Sequence, residues 1–188
     1  MDLQEYLAYF KSILDKKETE QLLPYTNADY LDYTKLNWSR LGRWLKTGIL
    51  LEETLVIVHR VKQSQTWHVI TEPWCGDAAH VIPFIELIGR QNTLITVSYE
   101  LRDAPPFSIE RYLTNGTKSI PKLIIRNNDS EDLKIWGPRP EECQKVYNML
   151  LKKQASLEEV KMDIQKWYNA DKGVEIQKEI RKVISGTL

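Results

Sequence analysis

Only two cysteines occur in 188 residues, Cys75 and Cys143. That excludes a disulfide-stapled scaffold and suits a reducing compartment, where a cysteine is structural, metal-binding or reactive. Histidine is scarce too, with three copies, His59, His68 and His80, and none falls into a paired zinc-ligand spacing. Net charge is absent: 26 basic residues balance 26 acidic ones. A nucleic acid or a membrane surface selects for a positive field, so neither is expected as a partner. No apolar run approaches the ~20 residues that span a bilayer. The first residues, "MDLQEYLAYFKSILDKK", carry Asp2 and Glu5 where a secretory leader needs positive charge. A cytoplasmic location is the expectation. Internal repeats and low-complexity tracts are also missing.

What is present is a change of hydrophobic period. Residues 2–15 place Leu3, Tyr6, Leu7, Phe10, Ile13 and Leu14 on one helical stripe. "LPYTNADY" interrupts it with a proline and turn formers. Residues 34–47 predict a second helix through Leu36, Trp38, Leu41, Trp44 and Leu45, stopped by Gly48. "TWHVIT" (66–71) is then short, β-branched and aromatic, which predicts a buried strand. A helix follows from Asp77 to Gly89, and "TLITVSYEL" (93–101) predicts a second strand. "DAPPFSIERYLTNG" predicts a short helix. "PKLIIRN" and "DLKIW" flank the polar turn "NNDSE" as an antiparallel hairpin. A helix opened by "GPRP" and two terminal amphipathic helices, divided near Gly173, complete the chain.

The order from 66 to 153 is β-α-β-α-β-β-α. The strand-helix-strand unit implies parallel pairing, and the hairpin adds antiparallel pairing at one edge. The fold class is therefore α/β, one mixed sheet between helices. The expected divisions are an N-terminal helical extension (1–55), the sheet domain (56–154) and a C-terminal helical extension (155–188) packed on the same core.

Cys75 falls where a strand passes into a helix. The free N–H groups of a first helical turn favour a thiolate, the nucleophilic form. Gly76 leaves the turn unhindered, and Trp74 covers one side of the sulfur. Asp77 works against ionisation through its own charge. The expectation is a reactive thiol of moderate acidity, although a small buried hydrophobe is the usual fate of a free cysteine.

These residues carry a resemblance. "VITEPWCGDAAHVIPFIELI" resembles the active-site strand and helix of thioredoxins, with Pro83 in the place of that family's helix-kinking proline. "NGTKSIPKLIIRNNDSEDLKIWG" resembles its cis-proline turn and closing hairpin. The resemblance spans roughly residues 60–153. With its flanking helices the whole chain is similar to a bacterial group of thioredoxin-family proteins. It implies a thioredoxin-like fold, a cis peptide bond before Pro121, and Ile120 and Pro121 lying beside Cys75. Two departures stand out. Ala78 replaces the family's second cysteine, and Val69 replaces its buried aspartate.

A local disulfide is thereby excluded. Cys143, on the apolar face of a later helix, is expected in the core. What remains is monothiol thiol-disulfide exchange, with Cys75 as nucleophile and Trp74, Gly76, Asp77, Ala78, Ile120 and Pro121 around it. The partner would be a disulfide-bearing protein, or a low-molecular-weight thiol that resolves the intermediate. The alternative is a binding module in which the same cleft holds a protein without turnover. No metal or organic cofactor is implied. Arg139 is expected only to accompany prolines that fix a helix entry, and Arg102-Asp103 either flanks the cleft or forms a solvated loop. Trp38, Trp44 and Trp167 are expected to pack the added helices.

Overall fold

The computed structural model describes every residue from Met1 to Leu188. Two long helices open the chain, α1 (Leu3–Asp15) and α2 (Ala28–Thr47). Asp2 and Glu5 form a reciprocal capping box on α1. α2 starts at Ala28 rather than at residue 34, because Asn27 accepts a hydrogen bond from the Asp29 N–H. The polar residues of "TNADY" thus cap a helix instead of only making a turn. A short α3 (Glu52–Val58), not expected from the sequence, packs against the last helix.

β1 (Gln65–Thr71), α4 (Gly76–Gly89), β2 (Ile95–Leu101), β3 (Lys122–Arg126), β4 (Asp132–Trp136) and α5 (Glu141–Lys152) follow. They reproduce the expected order with one reduction. The segment between β2 and β3 forms only a 3-10 turn, Ser108–Arg111, not a helix. Two terminal helices, α6 (Leu157–Asp171) and α7 (Val174–Ser185), meet at Gly173, whose φ of 82° suits glycine.

The sheet order is β2-β1-β3-β4. β1 and β2 are parallel, with Val69 opposite Tyr99, while β1–β3 and β3–β4 are antiparallel. Trp67, Val69, Leu123 and Ile125 are fully buried on the face under α4. Tyr99 confirms that side, since its hydroxyl donates to Glu86 of α4 at 2.5 Å. α4 itself is buried on almost every side, which its run of Val, Ile, Phe and Ala permits.

One core joins all parts of the chain. It includes Leu3, Tyr6 and Phe10 of α1, Leu41 and Trp44 of α2, the inner sheet face, and Ile176, Ile180 and Ile184 of α7. Each such large apolar side chain contributes about 1.5–3 kcal/mol on full burial. Trp38 and Trp167 pack against this core while partly exposed. No helix is long and apolar enough to cross a membrane.

Candidate functional site

Cys75 is the N-cap of α4, and its sulfur accepts a hydrogen bond from the Ala78 N–H at 3.5 Å. The thiol in turn donates to the carbonyl of Ile120 at 3.3 Å. The Ile120–Pro121 peptide is cis, and Ile120 and Cys75 lie side by side on the floor of a cleft. The N–H of Ile120 takes part in none of the backbone hydrogen bonds of the chain.

The ionisation of Cys75 corrects the expectation of a poised thiol. The residue is only 7% exposed. Burial, and then the nearby Asp77 charge, push its thiol up to about 12. The Ala78 N–H and Arg139 pull the other way but lose. A helix start favours a thiolate only where the sulfur keeps some solvation, and here desolvation is the larger effect. Cys143 is fully buried on α5, and both cysteines are free. Ala78 and Val69, where the resemblance placed a thiol and an acid, are packed apolar positions at 1% and 0% exposure.

The walls of the cleft come from the added helices. It encloses about 720 Å³. Trp74 carries the Arg102 guanidinium over its ring at 4.5 Å and meets Tyr30 in an edge-to-face arrangement with ring centroids 5.8 Å apart. Arg102 therefore flanks the cleft. Tyr33 of α2 lies directly on Gly76: a Cβ there would sit 2.6 Å from the Tyr33 hydroxyl oxygen. A side chain at position 76 would have to push the Tyr33 ring aside. Opposite, α6 presents Val160, Ile164 and Tyr168.

The sequence model of the thioredoxin family matches residues 24–161. The chain belongs to the thioredoxin family. Its structure is similar to the crystal structure, at 1.5 Å, of a protein of unknown function from Pseudomonas aeruginosa. The TM-score is 0.60 and the identity 12%, over 100% of this chain and 99% of that one. A crystallised HIV epitope scaffold is similar over 99% of both chains, with TM-score 0.58 and 12% identity. At such identity these likenesses concern the fold alone. No curated protein matches the sequence.

Within this thioredoxin-family cleft, Asp77 is engaged on both oxygens. Arg139 Nη2 donates to Oδ2 at 2.6 Å, and the Tyr168 hydroxyl donates to Oδ1 at 2.7 Å. Arg139 is thus more than an accompaniment to helix-entry prolines: it ties α5 to the start of α4. His80 is locked as well. Trp44 Nε1 donates to its Nδ1 at 2.9 Å, so the proton resides on Nε2, which faces Gln165 Oε1 at 2.9 Å. Burial lowers its pKa to about 4, and its ring stacks on Tyr168 at 4.4 Å. The neutral tautomer is structural, and neither nitrogen is open to a metal.

Glu72 was not singled out by the sequence. It is 5% exposed and accepts the Asp103 N–H at 2.9 Å. Burial pushes its carboxyl up to about 7. Tyr30, Tyr33 and Tyr168 were equally unforeseen, since an aromatic at helical spacing carries no mark separating a cleft wall from a core position.

Proposed function

We propose that this thioredoxin-family protein is a binding module whose cleft takes an extended peptide segment against Ile120, with Cys75 present as a protonated thiol. The observation that carries this reading is the state of the sulfur: buried, and donating to the Ile120 carbonyl at 3.3 Å. A resident nucleophile needs the thiolate, and desolvation opposes it. The unpaired Ile120 N–H offers a strand-like donor to a peptide carbonyl. Replacement of the second thiol by Ala78, and the roof that Tyr33 lays on Gly76, agree with holding rather than turnover.

A second reading, monothiol exchange at Cys75, is favoured by one observation. The Ala78 N–H already points at the sulfur, so a thiolate formed on cleft opening would find a donor in place. In that case the thiolate attacks a substrate disulfide, one sulfur leaves as a thiol, and an external thiol resolves the mixed disulfide.

Selection from a peptide display library separates the two. Enriched peptides that bind wild type and Cys75→Ala with equal affinity, and that shift the Ile120 amide resonance, support the binding module. Capture that needs Cys75 and is reversed by dithiothreitol overturns it in favour of exchange. No enrichment on either protein also overturns it.

A further inference from the structure

The sheet face turned away from α4 carries a second set of reactive side chains. Parallel register sets His68 of β1 beside Ser98 of β2, and Ile70 beside Glu100. Alternation along the strands puts His68, Ser98 and Glu100 on the same face, and none of the three lines the Cys75 cleft. Ser98 Oγ lies 3.0 Å from His68 Nδ1. The other ring nitrogen, Nε2, lies 3.0 Å from Glu100 Oε2. The remaining oxygen of Glu100 accepts the Ser108 N–H at 2.9 Å.

Each direction in this chain is set by chemistry. A carboxylate only accepts, so Nε2 carries the ring proton and donates it to Glu100. Nδ1 then has a lone pair for the Ser98 hydroxyl. Burial holds His68 below its usual value, which keeps the ring neutral at pH 7 with the Nδ1 lone pair free. All three side chains are partly buried. Glu100 is tucked under Ser108, beside the fully buried Ile109. Thr96, two residues before Ser98 on the same face, is exposed, and Ser98 is half-buried between them. Ser98 thus neighbours the exposed Thr96 on this face, and Glu100 neighbours the turn at Ser108.

We propose that Ser98, His68 and Glu100 form a serine nucleophile relay that accepts the acyl group of a small ester. Ser98 Oγ bonds to the ester carbonyl carbon, and the carbon–oxygen bond to the leaving alcohol breaks. The Ser98 proton moves to His68 Nδ1 and then to the departing alkoxide. Water, deprotonated by the same nitrogen, cleaves the acyl-serine ester and releases the carboxylic acid. Glu100 orients the ring and balances its transient positive charge.

The test is labelling of the full chain with an alkyl fluorophosphonate, located by peptide mass spectrometry. The expected result is a phosphonyl adduct on Ser98 that Ser98→Ala abolishes and that Ser39→Ala, at an exposed hydroxyl on α2, leaves unchanged. His68→Gln and Glu100→Gln, each verified as folded by circular dichroism, should slow labelling at least about a hundredfold, the usual contribution of a positioned base. No adduct on Ser98 in wild type overturns the proposal. Labelling at an unchanged rate in the two glutamine variants overturns it as well.

Discussion

Arg139 closes on Asp77 from 62 positions away in the chain, with three guanidinium hydrogen bonds to the carboxylate. Both side chains are largely buried, at 15% and 11% exposure, and Tyr168 adds a hydroxyl to the same carboxylate. This pair fixes the first turn of α4 and therefore the setting of Cys75.

Arg139→Met leaves Asp77 as a buried charge with only a phenol beside it. A loss of about 3–5 kcal/mol is expected, as for other buried pairs broken from one side. The double variant Asp77→Asn/Arg139→Met should recover part of it. Denaturant titration of the set provides the check, and equal losses in single and double variants would contradict the pairing.

The Cys75 thiol should alkylate slowly at neutral pH, with a rate that climbs toward a midpoint far above the ordinary ~8.5. Asp77→Asn removes the second cause of the shift and frees the Arg139 charge, so its midpoint should fall. Iodoacetamide kinetics on the native protein, read at the Cys75 peptide, would decide. A wild-type midpoint below ~8.5 would sink this account of the thiol.

Tyr33→Ala lifts the phenol from Gly76 and opens the cleft above Cys75. Alkylation of Cys75 at a fixed pH of 9 should accelerate severalfold while Cys143 stays protected. An unchanged rate would mean that the thiol is sealed by the floor of the cleft and not by α2.

Glu72 and His80 pull the pH profile of stability in opposite directions. The folded pKa of Glu72 is raised to about 7, so its contribution is complete below the unfolded value and is lost as pH rises through 7. The folded pKa of His80 is depressed to about 4, so its contribution is present above about 6.5 and is lost as pH falls toward 4. Glu72→Gln keeps the acceptor for Asp103 and removes the charge. It should stabilise the protein at pH 8 by about 2–3 kcal/mol and change little at pH 4. Thermal melts across that range test the sign.

Much of the fold was written locally. The switch from helical stripe to β-branched runs at residue 66, the polar "NNDSE" turn between β3 and β4, and the junction at Cys75 each follow from a few adjacent residues. α2 began earlier than periodicity suggested because a cap is one side chain, not a pattern. The turn at Ser108–Arg111 fell short of a helix, and the helical signal of its prolines and Asn115-Gly116 did not reveal that.

By itself the sequence determined the mixed α/β architecture, the family resemblance and the presence of one thiol without a neighbour. Those depend on residue type and spacing, which the chain carries in order. Only the tertiary structure decided the surroundings of that thiol and, through them, the direction of its ionisation. Solvent exclusion by α2 and α6, the reach of Arg139 to Asp77, and the meeting of Ser98, His68 and Glu100 are distances between segments far apart in the chain. A group's ionisation follows what surrounds it in space, and no local pattern records that.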